Sequence, residues 1–219
     1  MSKPYQLVVF DWEGTISDTL GPILHIVATE AKNLGYDTLD PVKARKYVDL
    51  GLVSALRKLF PDLTSKQNEH FVQLVQAALV SRPTEVYLIP GAMEFIKQLY
   101  EDKVSIAVAT NKGHHSLMRA LESSGLNKYI RVTRSAGQVP AKPCPQMLEE
   151  ILQLMGGSPE TTLMIGDSTT DMEMAQSISV DAIGVDFYHQ QTEALKAAGA
   201  LAVFDDYKLL AEYINLPKK

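Results

Sequence analysis

The sequence predicts an α/β protein whose parallel sheet is interrupted, after its first strand, by an all-helical segment. The mostly apolar run Tyr5–Phe10 ends at Asp11 and is followed by the turn signal Gly14-Thr15, a pattern typical of a short buried strand. Residues 16–85 show helical periodicity and no strand pattern. From about residue 86, strand and helix patterns alternate, which indicates parallel strands joined by right-handed crossovers.

The helical segment is expected to form three helices. Gly35 ends the first, Pro41 opens the second, Pro61 ends it, and Thr64 or Ser65 caps the third. Their apolar stripes, at helical spacing, are Leu20, Ile23, Leu24, Val27 and Ala31; Val48, Leu52, Leu56 and Leu59; and Phe71, Leu74, Val75 and Leu79. We therefore predict a helical domain at 16–85 and a sheet domain formed by 1–15 and 86–219.

The sheet domain is expected to continue as strands and helices in alternation. After the first strand, the predicted strands are Val104–Thr110, a weak one at Ile130–Thr133, Thr162–Gly166, Asp181–Val185 and Ala200–Phe204. The predicted helices are Ala92–Tyr100, a run around Leu117–Leu121, Met147–Met155, Thr170–Ser177 and Leu209–Ile214.

Composition excludes several classes of partner. Of the 219 residues 46% are apolar, and acids outnumber bases by 26 to 21, which gives a formal charge of −5 and argues against nucleic-acid binding. No apolar run approaches the length of a membrane span, and no signal peptide is visible. The single cysteine, Cys144, cannot form an internal disulfide, which fits a reducing cytosol. We expect a cytoplasmic monomer or homodimer.

Polar side chains gather after three predicted strands and in one loop. They are Asp11 and Glu13; Thr110, Asn111 and Lys112; Asp167 and Asp171; and, in the loop, Lys142. Because parallel strands end at the same edge of a sheet, we expect these groups to converge in one crevice. An Asp that follows a strand is also a common turn residue, so each position alone would be a weak signal.

Such a cluster suits phosphoryl transfer. Several carboxylates brought together would repel each other, and a hard divalent cation such as Mg²⁺ would relieve that repulsion. Lys142 and the Thr110 hydroxyl would then hold the oxygens of a bound phosphate. The reaction needs alignment and charge neutralisation, so Asp11 is assigned as a nucleophile that forms an aspartyl phosphate. Glu13 is assigned as the general acid/base.

Four segments resemble, in order, the four motifs of the haloacid dehalogenase superfamily: Asp11-Trp-Glu-Gly-Thr15, Ala109-Thr-Asn-Lys112, Lys142-Pro143 and Gly166-Asp-Ser-Thr-Thr-Asp171. Within the superfamily the chain looks like the phosphoglycolate phosphatase branch. The Thr-Asn-Lys sequence, the helical insert and the segment 47–57, which is similar to that branch's cap segment, all favour it. The resemblance implies a Rossmann-like three-layer core with a helical cap domain.

The resemblance also implies a ligand set and a substrate class. Mg²⁺ would be bound by Asp11, by the main-chain carbonyl of Glu13 and by Asp167, with Asp171 in support. The phosphoryl group would be held by Thr110, Asn111 and Lys142. The expected substrate is a small phosphorylated metabolite, with phosphoglycolate as the example that the branch suggests.

Glu13 departs from the family pattern, which has Asp at that position. A main-chain metal ligand tolerates the change, but the side chain gains a methylene, and a misplacement of about 1 Å can cost on the order of a hundredfold in rate. Three interpretations stay open: normal turnover, slow release of the phosphoryl group from the enzyme, or phosphate binding without catalysis. A phosphosugar mutase with the same nucleophile is a further alternative.

Other polar residues receive structural or undecided roles. Lys112 is open between solvent and substrate, His114 and His115 are expected at the surface or behind the site, and Asp18 is expected to cap the first inserted helix. Candidates for a substrate-reading cation are Arg45, Lys46 and Arg57, although a solvated helix face is the commoner explanation.

Overall fold

The computed structural model describes residues 5–40, 43–44, 47, 51–81 and 86–215. The chain divides into two compact units, one formed by Met1–Asp18 and Val86–Lys219 and the other by Thr19–Glu85. The first unit contains the sheet and the second is helical where it is described. The segment 16–18, which the sequence placed with the helical insert, groups with the sheet unit, because Ile89 N donates to Ile16 O at 2.9 Å.

The sheet has six parallel strands in the order β3-β2-β1-β4-β5-β6. Their bounds are Leu7–Phe10 (β1), Ser105–Gly113 (β2), Val132–Ala136 (β3), Thr162–Gly166 (β4), Asp181–Val185 (β5) and Val203–Phe204 (β6). This arrangement confirms the predicted α/β class. The chain adds β2 and β3 on one side of β1 and then returns to add β4 to β6 on the other, so the direction of winding reverses beside β1. Ligands of open α/β sheets bind at such a reversal.

Helices cover both faces of this sheet. They are Ala92–Glu101 (α4), His114–Ser124 (α5), Gln146–Met155 (α6), Thr169–Ser177 (α7), Thr192–Ala197 (α8) and Tyr207–Tyr213 (α9). Side chains of β1 alternate between two apolar cores. Val8 and Phe10 pack with residues of α4, α5 and α9, whereas Leu7 and Val9 pack with residues of α6, α7 and α8. The three layers agree with the predicted Rossmann-like core.

The helical unit has an apolar core of its own. Its described helices are Leu20–Asn33 (α1), Leu52–Leu59 (α2) and Ser65–Ser81 (α3). Phe71 of α3 is fully buried, and its ring meets those of Tyr36 and Phe60 edge-on at 5.5 and 5.2 Å. Pro41 and Val48, which the sequence placed in the second helix, lie outside the described residues.

The bounds of several elements differ from the sequence expectation: β2 extends past Thr110 to Gly113, β6 is limited to Val203–Phe204, and α9 begins at Tyr207 instead of Leu209. The weak strand predicted at 130–133 forms at Val132–Ala136, and the short helix Thr192–Ala197 was missed. Helix α7 begins at Thr169, one residue before the predicted start, so Asp167 precedes the helix and Asp171 lies in its first turn. None of the helices that the described residues form combines the length and apolar character needed to cross a bilayer.

Candidate active site

The strand register brings the predicted site residues to one edge of the sheet. Phe10, the last residue of β1, pairs with Val108 on one side and Ile165 on the other, and Asp11 N donates to Ile165 O at 2.8 Å. Asp11 therefore leaves the sheet between the ends of β2 and β4. Thr110 lies two residues beyond Val108 in β2, and Asp167 follows Gly166, the last residue of β4. Three neighbouring strands therefore supply the crevice.

Asp11, Asp167 and Asp171 form a compact carboxylate cluster. One carboxylate oxygen from each lies within 4.8 Å of the other two. Asp171 is fully buried and Asp11 is 6% exposed. Burial raises the pKa of the Asp11 carboxyl to about 6, opposed by the Lys142 ammonium and reinforced by the charge of Asp171. Burial, followed by the charges of Asp11 and Asp171, raises the pKa of Asp167 to about 8.

Lys142 is the cation of this cluster. Its Nζ lies 2.6 Å from Asp11 Oδ1 and 2.6 Å from Asp171 Oδ1, and its side chain is 3% exposed. Burial alone would lower the pKa of this ammonium, but the charges of Asp11 and Asp171 outweigh it and raise the pKa. The main chain is held as well, because Lys142 N donates to Asn111 Oδ1 at 2.9 Å. Lys142 is thus fixed at both ends.

Asp171 serves the helix and the cluster at once. Its Oδ2 accepts hydrogen bonds from Ser168 N at 3.1 Å and Ser168 Oγ at 2.7 Å, which forms a capping box at the start of α7. Its Oδ1 contacts Lys142 Nζ. The residue that caps α7 is Ser168, not Asp167 or Asp171, and Asp171 is the acidic residue that completes the box.

Two glycines make room for these carboxylates. A Cβ added to Gly14 would lie 2.0 Å from Asp167 Oδ2, and one added to Gly166 would lie 2.3 Å from Asp171 Oδ2. Gly14 also has φ of +78°, a conformation that disfavours other residues. The motif glycines therefore let the backbone approach the acidic cluster closely.

Glu13 and Lys112 form a second, more open ion pair. Lys112 Nζ lies 2.8 Å from Glu13 Oε1, with 24% of the Lys112 side chain and 47% of the Glu13 side chain exposed. Lys112 N donates to the hydroxyl of the buried Thr110 at 3.2 Å. The sequence left Lys112 open between solvent and substrate, and the structure pairs it with the predicted acid/base. Asn111, which lies between Thr110 and Lys112 in the sequence, is exposed.

The remaining candidates lie elsewhere or take other roles. Thr19 occupies the N-cap position of α1, next to Asp18, and the Asp18 carboxylate accepts a hydrogen bond from the Tyr188 hydroxyl. His114 begins α5 and His115 is exposed, with their rings 5.9 Å apart. Arg57 is exposed on α2, whereas Arg45 and Lys46 lie outside the described residues.

The cluster has the composition of a site for a hard divalent cation. Three carboxylates face one ammonium, so full ionisation leaves excess negative charge. Burial is the main cause of the raised pKa values of Asp11 and Asp167, and the charges of the neighbouring carboxylates add to it. Oxygen ligands of this kind suit Mg²⁺, and the residues present therefore fit the metal that the motifs imply.

Comparison with known proteins identifies the family of this chain. The model of the haloacid dehalogenase-like hydrolase family matches residues 8–185. A Dickeya dadantii protein named "Probable phosphatase IndB" is 29% identical, covering 92% of this chain and 90% of its own. A phosphoglycolate phosphatase from Synechococcus elongatus is 24% identical, covering 88% and 89%.

Solved structures share the fold at lower identity. A hydrolase of this family from Deinococcus radiodurans, with bound phosphate and sodium, superposes with a TM-score of 0.74 at 21% identity and covers 98% of this chain and 97% of its own. A Thermotoga maritima protein assigned as a β-phosphoglucomutase gives 0.68 at 21% identity, covering 95% and 99%.

Proposed function

Because this chain belongs to the haloacid dehalogenase-like hydrolases, we propose that it is a Mg²⁺-dependent phosphatase that hydrolyses a small phosphorylated metabolite. The family match confirms the superfamily predicted from the four motifs, and the phosphatase names of the relatives support the predicted enzyme class. The reaction would pass through an aspartyl phosphate on Asp11, and each residue role that follows is part of this proposal.

One observation carries the proposal: the Asp11 carboxylate is buried beside Lys142 and two further carboxylates. A carboxylate that is oriented by a buried ammonium is available as a nucleophile in one fixed direction. Its Oδ1 contacts Lys142 Nζ, which leaves Oδ2 to attack phosphorus. An isolated Asp after a strand would need none of these neighbours, so the cluster favours chemistry over a turn-capping role.

The metal would be held by Asp11, Asp167 and the main-chain carbonyl of Glu13, with Asp171 in support. When bound, Mg²⁺ neutralises the repulsion between the carboxylates and an incoming phosphoryl group. The Lys142 ammonium has three donor positions, and two of them face Asp11 and Asp171. The third can serve a phosphoryl oxygen, together with Thr110 and Asn111.

The proposed reaction has two steps that balance in atoms and protons. In the first, Asp11 forms a bond to phosphorus while the bond to the leaving oxygen breaks, and Glu13 gives that oxygen a proton. In the second, water attacks the phosphorus, Glu13 takes a proton from the water, and the bond to Asp11 breaks. Inorganic phosphate leaves, and both carboxyl groups return to their starting states.

Substrate choice and surroundings extend the proposal. Phosphoglycolate is the first substrate to try, because relatives such as the Synechococcus elongatus protein carry that activity in their names. The helical unit Thr19–Glu85 would serve as the cap domain that selects the substrate and excludes bulk water. The cytoplasmic location and the monomeric or homodimeric state stay predictions.

A phosphate-release screen tests the proposal. The protein is assayed with and without Mg²⁺ over a panel that includes phosphoglycolate and sugar phosphates. We expect Mg²⁺-dependent release that Asp11→Asn lowers by at least about a thousandfold, as for the loss of other nucleophiles. Asp205→Asn, the same change at an exposed position of the sheet unit, is the matched control and should keep the parent rate.

Product analysis and binding measurements on the same panel of compounds separate the alternatives. An isomerised sugar phosphate without free phosphate would identify a mutase. Binding of phosphorylated metabolites without any turnover would identify a phosphate-binding protein, and equal rates for Asp11→Asn and the parent would refute the assignment of the nucleophile.

A further inference from the structure

Tyr207 reaches the predicted metal-binding edge from the last helix of the sheet unit. It opens α9 and lies beyond the residues 8–185 that match the family model. The side chain is 2% exposed, and its hydroxyl donates to Thr15 O at 2.7 Å in a buried hydrogen bond. The contact joins two parts of the chain that are 192 positions apart.

Thr15 lies in the turn that carries the first motif. It is fully buried, and its Oγ1 donates to Asp167 Oδ1 at 3.5 Å. The preceding Gly14 approaches the same carboxylate so closely that a Cβ could not be accommodated. The position of this turn therefore decides where the Asp167 carboxylate and the main-chain carbonyl of Glu13 lie relative to each other.

The Tyr207 hydroxyl is held in place by its own surroundings. The ring lies 5.1 Å from the ring of Phe95 and 5.2 Å from that of Phe187. The Cβ of Tyr207 lies 3.3 Å from the position that a Cβ on Gly91 would occupy, so α9 packs closely against the backbone at Gly91. Burial, with the charges of Asp167 and Asp11, raises the pKa of the phenol, and it stays a neutral donor.

We propose that Tyr207 is a positioning residue for metal binding: its hydroxyl fixes the carbonyl of Thr15 and, through that turn, the Asp167 carboxylate and the Glu13 carbonyl. Tyr207 touches neither substrate nor metal in this scheme. The inference rests on the proposed function for the identity of the metal. It adds a residue from the C-terminal helix to a site otherwise built from the four motifs.

The test removes only the hydroxyl. Tyr207→Phe keeps the packed ring but leaves the buried Thr15 carbonyl without its donor, a loss of about 1–3 kcal/mol. If that energy holds the turn in its metal-binding position, the dissociation constant of Mg²⁺ should rise by roughly 5- to 150-fold. Isothermal titration calorimetry of the full chain measures this without relying on catalysis.

Tyr213→Phe is the matched control. Tyr213 lies on the same helix, 47% exposed, with its ring beside Phe204, and its variant should bind Mg²⁺ within about twofold of the parent. A second variant, Thr15→Val, removes the hydroxyl that contacts Asp167 and should weaken Mg²⁺ binding as well. Because both changes interrupt one chain of contacts, the double variant should lose less Mg²⁺-binding free energy than the sum of the losses in the two single variants.

Three results distinguish the possibilities. A lower melting temperature for Tyr207→Phe with parental Mg²⁺ affinity would overturn the inference and leave Tyr207 a structural residue. Weakened Mg²⁺ binding in Tyr207→Phe, with Tyr213→Phe unaffected, would support it. A parent protein that binds Mg²⁺ but releases no phosphate would refute the proposed function alone.

Discussion

Two groups of ion pairs lie at the edge of the sheet, one around Lys142 and one between Lys112 and Glu13, and they differ in burial more than in geometry. Lys142 contacts Asp11 and Asp171 at 2.6 Å with side-chain exposures of 3%, 8% and 0%. Lys112 contacts Glu13 at 2.8 Å, but the two side chains are 24% and 47% exposed. Both groups of ion pairs join segments far apart in sequence. Only the group around Lys142 is shielded from water.

The difference in burial separates a tightly held part of the site, around Lys142, from a more loosely held part, at Lys112 and Glu13. Breaking a buried pair leaves an uncompensated charge and costs about 3–5 kcal/mol, whereas exposed pairs contribute roughly 0–1 kcal/mol. The Lys142 cluster therefore holds Asp11 in one orientation. The weaker Lys112 contact restrains Glu13 less, which suits the acid/base role proposed for it.

The largest expected effect is that of Lys142→Met. The substitution leaves Asp11 and Asp171 buried without their cation, and we expect the free energy of unfolding to fall by about 3–5 kcal/mol, with loss of phosphate release. Lys112→Met, the same change at the exposed pair, should cost less than about 1 kcal/mol. Denaturant unfolding of both variants measures the contrast, and equal losses would show that burial does not distinguish the two pairs.

The next effect concerns pH and Asp167. In the folded protein its pKa is raised from 3.8 to about 8, so the folded state binds the proton more tightly. The stabilisation that this tighter proton binding gives the folded state is fully present below pH 3.8, and it is lost as the pH rises through about 8. Asp11 acts in the same direction, with a pKa of about 6. The melting temperature of metal-free protein should therefore fall across this range.

Asp167→Asn is the control for that pH dependence. In this variant the melting temperature should depend less on pH, and near pH 8 the variant should be more stable than the metal-free parent. Mg²⁺ at a hundred times its dissociation constant should stabilise the parent by about 2.7 kcal/mol and the variant much less. Calorimetric scans over pH, with and without Mg²⁺, measure both. A parent whose melting temperature rises from pH 4 to pH 8 without metal would contradict the account.

The smallest effect is expected for Glu13→Asp. The shorter side chain gives up the contact with Lys112 and restores the residue usual in the family, so the free energy of unfolding should change by less than about 1 kcal/mol. We expect kcat to be retained or raised, as measured with the substrate that the screen identifies. A fall of more than about tenfold would mean that the site is adapted to Glu13, with Lys112 as its partner.

The sequence predicted those features of the fold that follow from periodicity. The runs that became β1, β2 and β4 are mostly apolar, and all three strands were found: β4 was placed to the residue, whereas β1 was begun two residues early and β2 was ended at Thr110 instead of Gly113. Helix α8 was missed because Thr192–Ala197 is six residues long, too short to show an apolar stripe. Strand β3 was placed early because its side chains are mostly half-buried, which blurs the pattern.

The candidate site was predictable where residues belong to motifs and unpredictable where contacts are long-range. Strand ends of one parallel sheet share an edge, which placed Asp11, Thr110 and Asp167 together. The sequence placed Lys112 and Glu13 in one crevice but did not indicate that they would pair, and nothing in it indicated that Tyr207 would reach Thr15. Those contacts depend on how loops and the final helix pack, and neither carries a local signal.

Trapping of the reaction intermediate tests the central claim most directly. The protein is mixed with Mg²⁺ and its best substrate, quenched in acid within the first turnover, digested and analysed by mass spectrometry. The account predicts a phosphoryl group on the peptide that contains Asp11, and none in Asp11→Asn. Phosphate release with the phosphoryl group found on another residue, or on no residue at all, would contradict the account.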